Sequence, residues 1–428
     1  MLVTFIERYN FFLLILFMGC YFYQAVYVLI GLFKKDEEGP ENPELKHYAV
    51  LISARNESAV IGELLQSIQQ QDYPSGLIDT YVIADNCVDH TADIARSHGA
   101  HVFERFQSAK VGKGYALDYA FHKIAAEKGI RYYAGYLVFD ADNVLDKNYI
   151  REMNRTFSLG YPVITSYRNS KNYDSNWISA GYALWFLRES RFLNGARMKC
   201  HTSCAISGTG FLVSSETIEK DHGWKYSLLT EDIEFSTDHI IRGDRIGYCS
   251  KAILYDEQPI DFKASWNQRM RWTKGFYQVF ARYGGKLLNG IFRNRSFPCY
   301  DMLMTIAPAT LITLTSLLLN GFFTVGGILT GHARVTEASL LAMGGCLTSI
   351  YLSLLAFGSV TIIAERKQIH CKTSRCLLYL FTFPIFLFTY IPISVAALFK
   401  NVTWKPVPHT IIRSTEQICR YSNKKQQV

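Results

Sequence analysis

"YLVFDADNVLD", residues 136–146, is the stretch from which the rest of the chain becomes readable. Tyr136 to Phe139, following Gly135, have the character of a buried strand, and that strand runs straight into Asp140-Ala141-Asp142. Packing alone gives no reason to end a buried strand on two carboxylates, because an unpaired buried charge is costly. Along an extended chain the two side chains would point to opposite faces, but where the backbone turns both can reach one ligand. Converging carboxylates repel unless a cation joins them. Mg²⁺ or Mn²⁺ does this with oxygen ligands and keeps positions open for phosphate oxygens. For a lone D-x-D an Asp turn capping the next helix is the favoured reading, so the surrounding sequence has to decide.

The same strand-then-polar pattern occurs upstream. "HYAVLISA" (47–54) precedes the helical pattern "SAVIGELLQSIQQQ", "TYVIAD" (80–85) precedes "DHTADIARSHG", and "HVFER" (101–105) precedes "GKGYALDYAFHKIAAEKG". This alternation predicts an α/β domain built on a mostly parallel, doubly wound, Rossmann-like sheet. Such sheets bind ligands outside the carboxyl ends of their strands. The polar residues gather there: Ser53, Arg55, Asn56 and Glu57 after the first strand, Asp85 and Asn86 after the second, Asp140 and Asp142 after the fourth.

Composition places this domain beside a membrane. The 428 residues are 49% hydrophobic and only 19% charged. Residues 9–33 carry no charge over a length sufficient to span a bilayer, and further apolar blocks cover about 302–330, 338–364 and 376–399. The first block is too long and aromatic for a cleaved signal peptide, and Lys34-Lys35 after it mark its C-terminal end as cytoplasmic. The expected organisation is an N-terminal transmembrane helix (1–36), a cytosolic domain (37–260), interfacial amphipathic helices (261–300), a transmembrane or re-entrant bundle (301–400) and a cytosolic basic tail (401–428). Pro384 and Pro392 favour a bent or re-entrant last block and three true crossings, with a full extra span as the alternative. These features predict a multi-pass plasma-membrane protein with its α/β domain in the cytoplasm. The ten cysteines form no regular framework, and Cys200-His201-x-x-Cys204 lacks a second ligand pair, so reduced thiols are expected. The net charge of +8 sits largely at membrane flanks and in the tail and requires no nucleic acid.

Three further segments carry chemistry. "LLTEDIEFS" sets Thr230, Glu231 and Asp232 at the start of a helical pattern, where they also suit an N-cap and the helix dipole. "SWNQRMRWTKG" brings Gln268, Arg269, Arg271 and Trp272 into five positions of a basic, aromatic helix that equally suits a membrane surface. "SAKVGKGYAL" supplies Lys110 and Lys113 among glycines before a helix, a pattern that admits a diphosphate at the helix N-terminus.

Asp140-Ala141-Asp142, Thr230-Glu231-Asp232 and Gln268-Arg269-Met270-Arg271-Trp272, in this order between apolar blocks, resemble the D-x-D, T-E-D and Q-x-x-R-W motifs of membrane-bound, processive family-2 glycosyltransferases. That group contains the cellulose and other β-glucan, chitin, hyaluronan and poly-N-acetylglucosamine synthases. The resemblance implies a GT-A fold, a UDP-sugar donor, Mg²⁺ or Mn²⁺ as cofactor and a growing glycan as acceptor. It implies that Ser53 (where the family has Pro), Arg55, Asn56, Glu57 and Asp85 meet the nucleotide, and that Lys113, Gln268, Arg269 and Arg271 meet the donor. Asp142 would bind the metal, Asp140 the metal or ribose, and Asp232 would be the base with Thr230, Glu231 and Arg271 around it. Trp272 and the loop Ser207-Gly208-Thr209 would hold the acceptor. Val402-Thr403-Trp404-Lys405 resembles a gating segment, with Phe399 one place out of register, so Trp404 and Lys405 are expected to close over the nucleotide.

The expected reaction is metal-dependent hexosyl transfer with inversion to a β linkage. A β-glucan made from UDP-glucose is the first expectation for the product, exported through the chain's own helices or an accessory export protein. A poly-N-acetylglucosamine-type polymer and single-sugar transfer to a lipid carrier are the alternatives. A catalytically dead nucleotide-sugar sensor is the reading from another class, opposed by the joint presence of Asp142, Asp232 and Arg271.

Overall fold

The computed structural model describes residues 1–307, 309–403 and 409–418. An eight-stranded sheet is built from β1 (Tyr48–Ala54), β2 (Ile78–Asp85), β3 (His101–Arg105), β4 (Gly135–Asp140), β5 (Val144–Leu145), β6 (Val163–Ser170), β7 (Phe211–Ser214) and β8 (Ile246–Asp256). Its order is β3-β2-β1-β4-β7-β6-β8-β5. The first four strands are mutually parallel where they pair, and each is followed by the helix its sequence implies: Ile61–Gln69, Thr91–Ser97, Lys113–Glu127 and Tyr149–Phe157. Five residues of β1 in a row are fully buried, as expected of a strand covered on both faces.

The sheet's second half is mixed. β7 runs antiparallel to both β4 and β6, and β6 pairs in parallel with β8. From β1 the chain builds outward on one side through β2 and β3, then returns to place β4 on the other side. The crevice between β1 and β4 is thus a topological switch point, where ligands bind in open α/β sheets. Ser53 is paired with Asp140 across it.

Four helical stretches among the described residues are long and apolar enough to cross a membrane: Leu2–Phe33, Ile312–Leu329, Ala333–Ala364 and Thr373–Phe399. The last is broken at Thr389 into Thr373–Phe388, with Pro384 inside it, and Tyr390–Phe399. The apolar run 177–187 forms the helix Trp177–Arg188, almost entirely buried and opened by an Asn176 capping box. It packs against the Thr373–Phe388 helix, where Tyr182 and Phe386 lie 5.0 Å apart between ring centres. Ile369, Cys376 and Phe383 belong to the same buried cluster as the sheet, so the last apolar hairpin and the α/β domain share one core. A second fastening is the buried Arg197–Asp301 ion pair at 2.8 Å, whose carboxylate also accepts from Tyr23 and Tyr27 of the N-terminal helix.

Candidate active site

The donor end of the crevice is assembled from loops. Asn56 and Asn86 both adopt left-handed backbone, at φ 56° and 54°, a conformation asparagine tolerates better than most residues. Their side chains fasten the loops: Asn56 Oδ1 accepts from the Val88 N–H and Asn86 Oδ1 from the Gln107 N–H. Asp85, 4% exposed, is ion-paired with the buried Arg105, whose guanidinium also donates to the Lys110 carbonyl. Ser53, Arg55, Glu57 and Asp85 therefore line one strand-end rim with Asp140, as the sequence led us to expect.

Lys113 is the first residue of its helix and donates to Asp140 Oδ1 at 2.5 Å and to the Gly208 carbonyl at 2.7 Å. Gly208 in turn donates its N–H to Asp232 Oδ2 at 2.6 Å. A single residue thus joins the D-x-D strand end to the T-E-D helix, Glu231–Arg242. Gly208 sits at φ +76°, where a side chain would be strained, and both its backbone groups face the site. Thr209 completes the connection by accepting from the Asp140 N–H and donating to Asn143.

The T-E-D corner is held from below. Glu234, 1% exposed, accepts from the Ser227 and Leu228 N–H groups and from Arg282 of the long helix Phe262–Asn294. Gly275 of that helix lets it touch Thr230: a β-carbon there would lie 2.5 Å from the threonine side chain. Thr230 occupies the N-cap position without a side-chain capping bond, and its hydroxyl is buried with no partner among the described residues. Arg271 reaches the same corner, donating to the Leu229 carbonyl at 3.3 Å and lying near Glu231.

Electrostatics differ between the two ends. Burial and the neighbouring Asp232 push Glu231 up to about 7, with Lys113 and Arg271 opposing. Burial also raises Asp232, against the N–H groups of Ile233 and Gly208 and the charge of Lys113. At the other end burial acts to raise Asp142, but His409, Lys171 and the Glu257 N–H overcome it and hold that carboxyl below its usual range. Two acids of raised basicity thus face one that stays ionised, a division that suits a base beside a cation site.

Asp140 and Asp142 offer hard oxygen donors, and Glu57 is close enough to both for their charges to raise it further beyond the effect of its own burial. Each aspartate already faces a protein cation: Lys113 on Asp140, and His409 Nε2 at 4.0 Å from Asp142 Oδ2. Among the described residues no three His, Cys, Asp or Glu side chains are grouped to hold a metal by themselves. The donor set fits an ion that completes its shell with phosphate oxygens and water, as Mg²⁺ and Mn²⁺ do.

Two expectations need correction or qualification. Arg269, expected at the donor, is fully buried and turned toward the membrane helices. It donates to the Phe386 carbonyl at 3.1 Å and to Thr389 Oγ1 at 2.5 Å, with its guanidinium over the Phe386 ring at 4.3 Å. The physical reason is the break at Thr389, where the Phe386 carbonyl and the Thr389 hydroxyl, itself bonded to that carbonyl, both offer acceptors to a buried guanidinium. Trp272, expected as an open face for a sugar, is partly buried with its ring edge-on to Tyr182 and Phe186. Gln268 Oε1 is buried without a hydrogen-bond partner among the described residues. Trp404 and Lys405 lie outside the described residues.

Sequence reasoning passed over three groups. His409 bonds both oxygens of Glu57, at 3.0 and 3.1 Å, from the C-terminal segment, and Asp142, Glu57 and Glu257 raise it to about 10 against its burial. Asp256 ends β8 and Glu257 follows it, the same strand-end signal that exposed Asp85 and Asp140; Asp256 is ion-paired with Arg168, and Glu257 accepts from the Thr410 and Ile411 N–H groups. Arg168 also donates to the Ser207 carbonyl at 3.0 Å and covers the Phe186 ring at 3.7 Å, which sets it beside the expected acceptor loop.

Comparison with known proteins accords with this geometry. The chain is 26% identical over 262 residues to a probable glycosyltransferase, YdaM, of Bacillus subtilis, covering 56% of this chain and 57% of that protein. It is 25% identical over 275 residues to a beta-monoglucosyldiacylglycerol synthase of Nostoc (61% and 55% covered) and 26% identical over 254 residues to a poly-beta-1,6-N-acetyl-D-glucosamine synthase of Staphylococcus epidermidis (56% and 57%). The chain spans just over half the length of these relatives. Among solved structures, the mannosyltransferase PcManGT of Pyrobaculum calidifontis, in complex with GDP-Man and Mn²⁺, superposes with a TM-score of 0.57 at 15% identity, covering 92% of this chain and 99% of that one, which shows a shared GT-A-like fold. The profile described as "Glycosyltransferase like family 2" matches residues 43–275, more than half of the chain, and the chain belongs to the family-2 glycosyltransferases.

Proposed function

We propose that the protein transfers a hexose, with inversion, from a UDP-sugar to a hydroxyl presented at the membrane face. The observation that supports this most is the path Asp140–Lys113–Gly208–Asp232, which sets a cation for the diphosphate and a carboxylate of raised basicity on either side of one backbone residue. A sugar or glycerol hydroxyl is too weak an acid to attack unaided at neutral pH, so a positioned base must take its proton during bond formation. Asp232 takes that proton as the acceptor oxygen bonds to the anomeric carbon and the bond from that carbon to the diphosphate breaks. Lys113 and Arg271 meet the charge left on UDP. Displacement from the opposite face turns an α donor into a β product.

Asp142, with Asp140, would hold Mg²⁺ or Mn²⁺, which would supply Lewis-acid stabilisation of the leaving diphosphate. Glu57 and Asp85, with Arg55 and Asn56, would position the nucleotide. A dead sensor would have no use for Asp232, Arg271 and Glu231 converging on one corner.

For donor and acceptor we favour UDP-glucose and a membrane lipid. The Nostoc relative is named for a glucosyl-lipid product, and Trp272 is partly engaged by Tyr182 and Phe186. Arg269 faces the bundle and Lys405 lies outside the described residues, so neither lends support to a β-glucan product. A β-linked polymer of glucose or N-acetylglucosamine is the second reading, favoured by the Staphylococcus relative. Purified protein in nanodiscs given radiolabelled UDP-glucose, UDP-N-acetylglucosamine, UDP-galactose and GDP-mannose tests both. A solvent-extractable, β-glucosidase-sensitive glycolipid supports the first reading, high-molecular-weight product supports the second, and no transfer from any UDP-sugar overturns the assignment.

A further inference from the structure

The loop before β7 turns sharply at Gly208. The Thr209 N–H donates to the Ser207 carbonyl at 2.9 Å, closing a three-residue ring about Gly208 at φ +76°. This is the φ and the hydrogen bond of the rarer, strained γ-turn, and such a conformation persists only where its surroundings over-determine it. Three side chains do so here. Lys113 donates to the Gly208 carbonyl at 2.7 Å, Asp232 Oδ2 accepts from the Gly208 N–H at 2.6 Å, and Arg168 Nη1 donates to the Ser207 carbonyl at 3.0 Å. The Ser207 carbonyl and the Gly208 N–H are two ends of one planar peptide unit. Arg168 therefore grips one end of the group whose other end is bonded to Asp232. A β-carbon at Gly208 would lie 3.9 Å from Arg168 Nη1 and 4.0 Å from Asp232 Oδ2, so the guanidinium and the carboxylate flank the same residue.

Arg168 is itself held firmly. Its Nε donates to Asp256 Oδ2 at 2.7 Å and its Nη2 donates to the same oxygen, while Asp256 Oδ1 accepts from Gln258 Nε2 at 2.6 Å. The guanidinium lies over the Phe186 ring at 3.7 Å, and the Arg168 N–H donates to Ser190 Oγ at 3.1 Å. Only 16% of the side chain is exposed. We infer that Arg168 is a positioning residue for the transfer: through the Ser207–Gly208 peptide it aims the Gly208 N–H at Asp232 and so holds that carboxylate in place for the acceptor hydroxyl. The inference rests on the reading of Asp232 as the base. The work needs a fork, with two nitrogens on Asp256 and the third on Ser207. A lysine ammonium can balance the charge of Asp256 but cannot reproduce the planar fork that spans both partners. Charge balance and positioning are therefore separable by substitution.

The test is Arg168→Lys in full-length protein in diacylglycerol-containing nanodiscs, with radiolabelled UDP-glucose or whichever of the four donors the wild type transfers. The transfer kcat, the donor KM and the melting temperature are measured at saturating Mn²⁺, with Asp232→Asn alongside. Loss of one charge-assisted hydrogen bond that acts through the base should lower kcat about tenfold, with the donor KM within about twofold and the melting temperature nearly unchanged. Unchanged kcat in folded Arg168→Lys, beside an inactive Asp232→Asn, overturns this inference and leaves the base in place. A fall in kcat accompanied by a comparable rise in donor KM, or by a lowered melting temperature, assigns Arg168 to donor binding or to the fold and overturns it equally. Substantial transfer by Asp232→Asn, or no transfer by the wild type from any donor, removes the base reading and this inference with it. If Arg168→Lys fails to fold, Asp256→Asn decides: it loosens the other end of the fork and should give the same split at about threefold in kcat, and an unchanged kcat there overturns the inference.

Discussion

The strand-end loops and the helix carrying Gln268 to Trp272 present their motif residues in opposite ways. At the strand ends, residues far apart in sequence converge: Ser53, Glu57, Asp85, Lys113 and Asp140 reach one crevice because parallel strands finish on the same edge, and Gly208 joins them because the antiparallel β7 starts there. On the helix, residues adjacent in sequence diverge. Each step turns the helix by about 100°, so Arg269 and Arg271 point roughly 200° apart. Arg271 meets the T-E-D corner while Arg269 meets the break at Thr389. One motif thus meets the T-E-D corner with one face and fastens the helical bundle with another.

This contrast predicts graded effects. The largest is at the base: Asp232→Asn keeps the acceptor for the Gly208 N–H but lacks basicity, and should lower the transfer rate by roughly 10²–10⁴-fold with UDP affinity nearly intact. Parallel loss of UDP binding would move Asp232 to a structural role. Next is Asp142→Ala, which should weaken metal-supported nucleotide binding by roughly tenfold or more, without rescue by added Mn²⁺. Unchanged turnover in excess chelator would remove the cation from the account.

The arginines separate the two faces directly. Arg271→Gln should lower transfer by roughly 10- to 100-fold at an unchanged melting temperature. Arg269→Met should instead destabilise the protein by roughly 1–3 kcal/mol, because the Phe386 carbonyl and the Thr389 hydroxyl both lose a charged donor, and leave the donor KM unaltered. A changed donor KM with normal stability in Arg269→Met would erase the distinction. The smallest effect is at His409→Ala, which should alter the Mn²⁺ concentration for half-maximal transfer by roughly two- to fivefold, the size of one partly exposed charge pair.

The pH dependence follows from the raised acids. Glu231 near 7 and the raised Asp232 stay protonated at low pH, and a protonated base accepts nothing. Transfer should therefore increase with pH as Asp232 loses its proton, over a range above that of an ordinary carboxylate, and a pH–rate profile that rises only in the ordinary carboxylate range would contradict the assignment.

Sequence was most informative where one local rule determined position. Hydrophobic runs ending in Asp located β2 and β4, the run before Arg55-Asn56-Glu57 located β1, and the polar residues beyond them needed only the edge rule for parallel sheets. The mixed half was less legible. β7 is four residues long, and β8 bulges against β6 between Ser166 and Tyr167, so neither announces itself by periodicity. Arg269 was misplaced because a motif spelling was read without its helical geometry. His409 was missed because nothing local marks it: its place between Glu57 and Asp142 arises from the path of the segment after the last membrane helix, which is set by tertiary packing.

The central claim is a single displacement across Gly208, with Asp232 opposite the diphosphate. Its most direct test is the anomeric configuration of the product formed from an α-linked UDP-sugar by purified protein in nanodiscs, read from the proton coupling at C1 by NMR. The account predicts a β glycoside at the first turnover and none in Asp232→Asn. An α product would require a second displacement or front-face attack, and would contradict it.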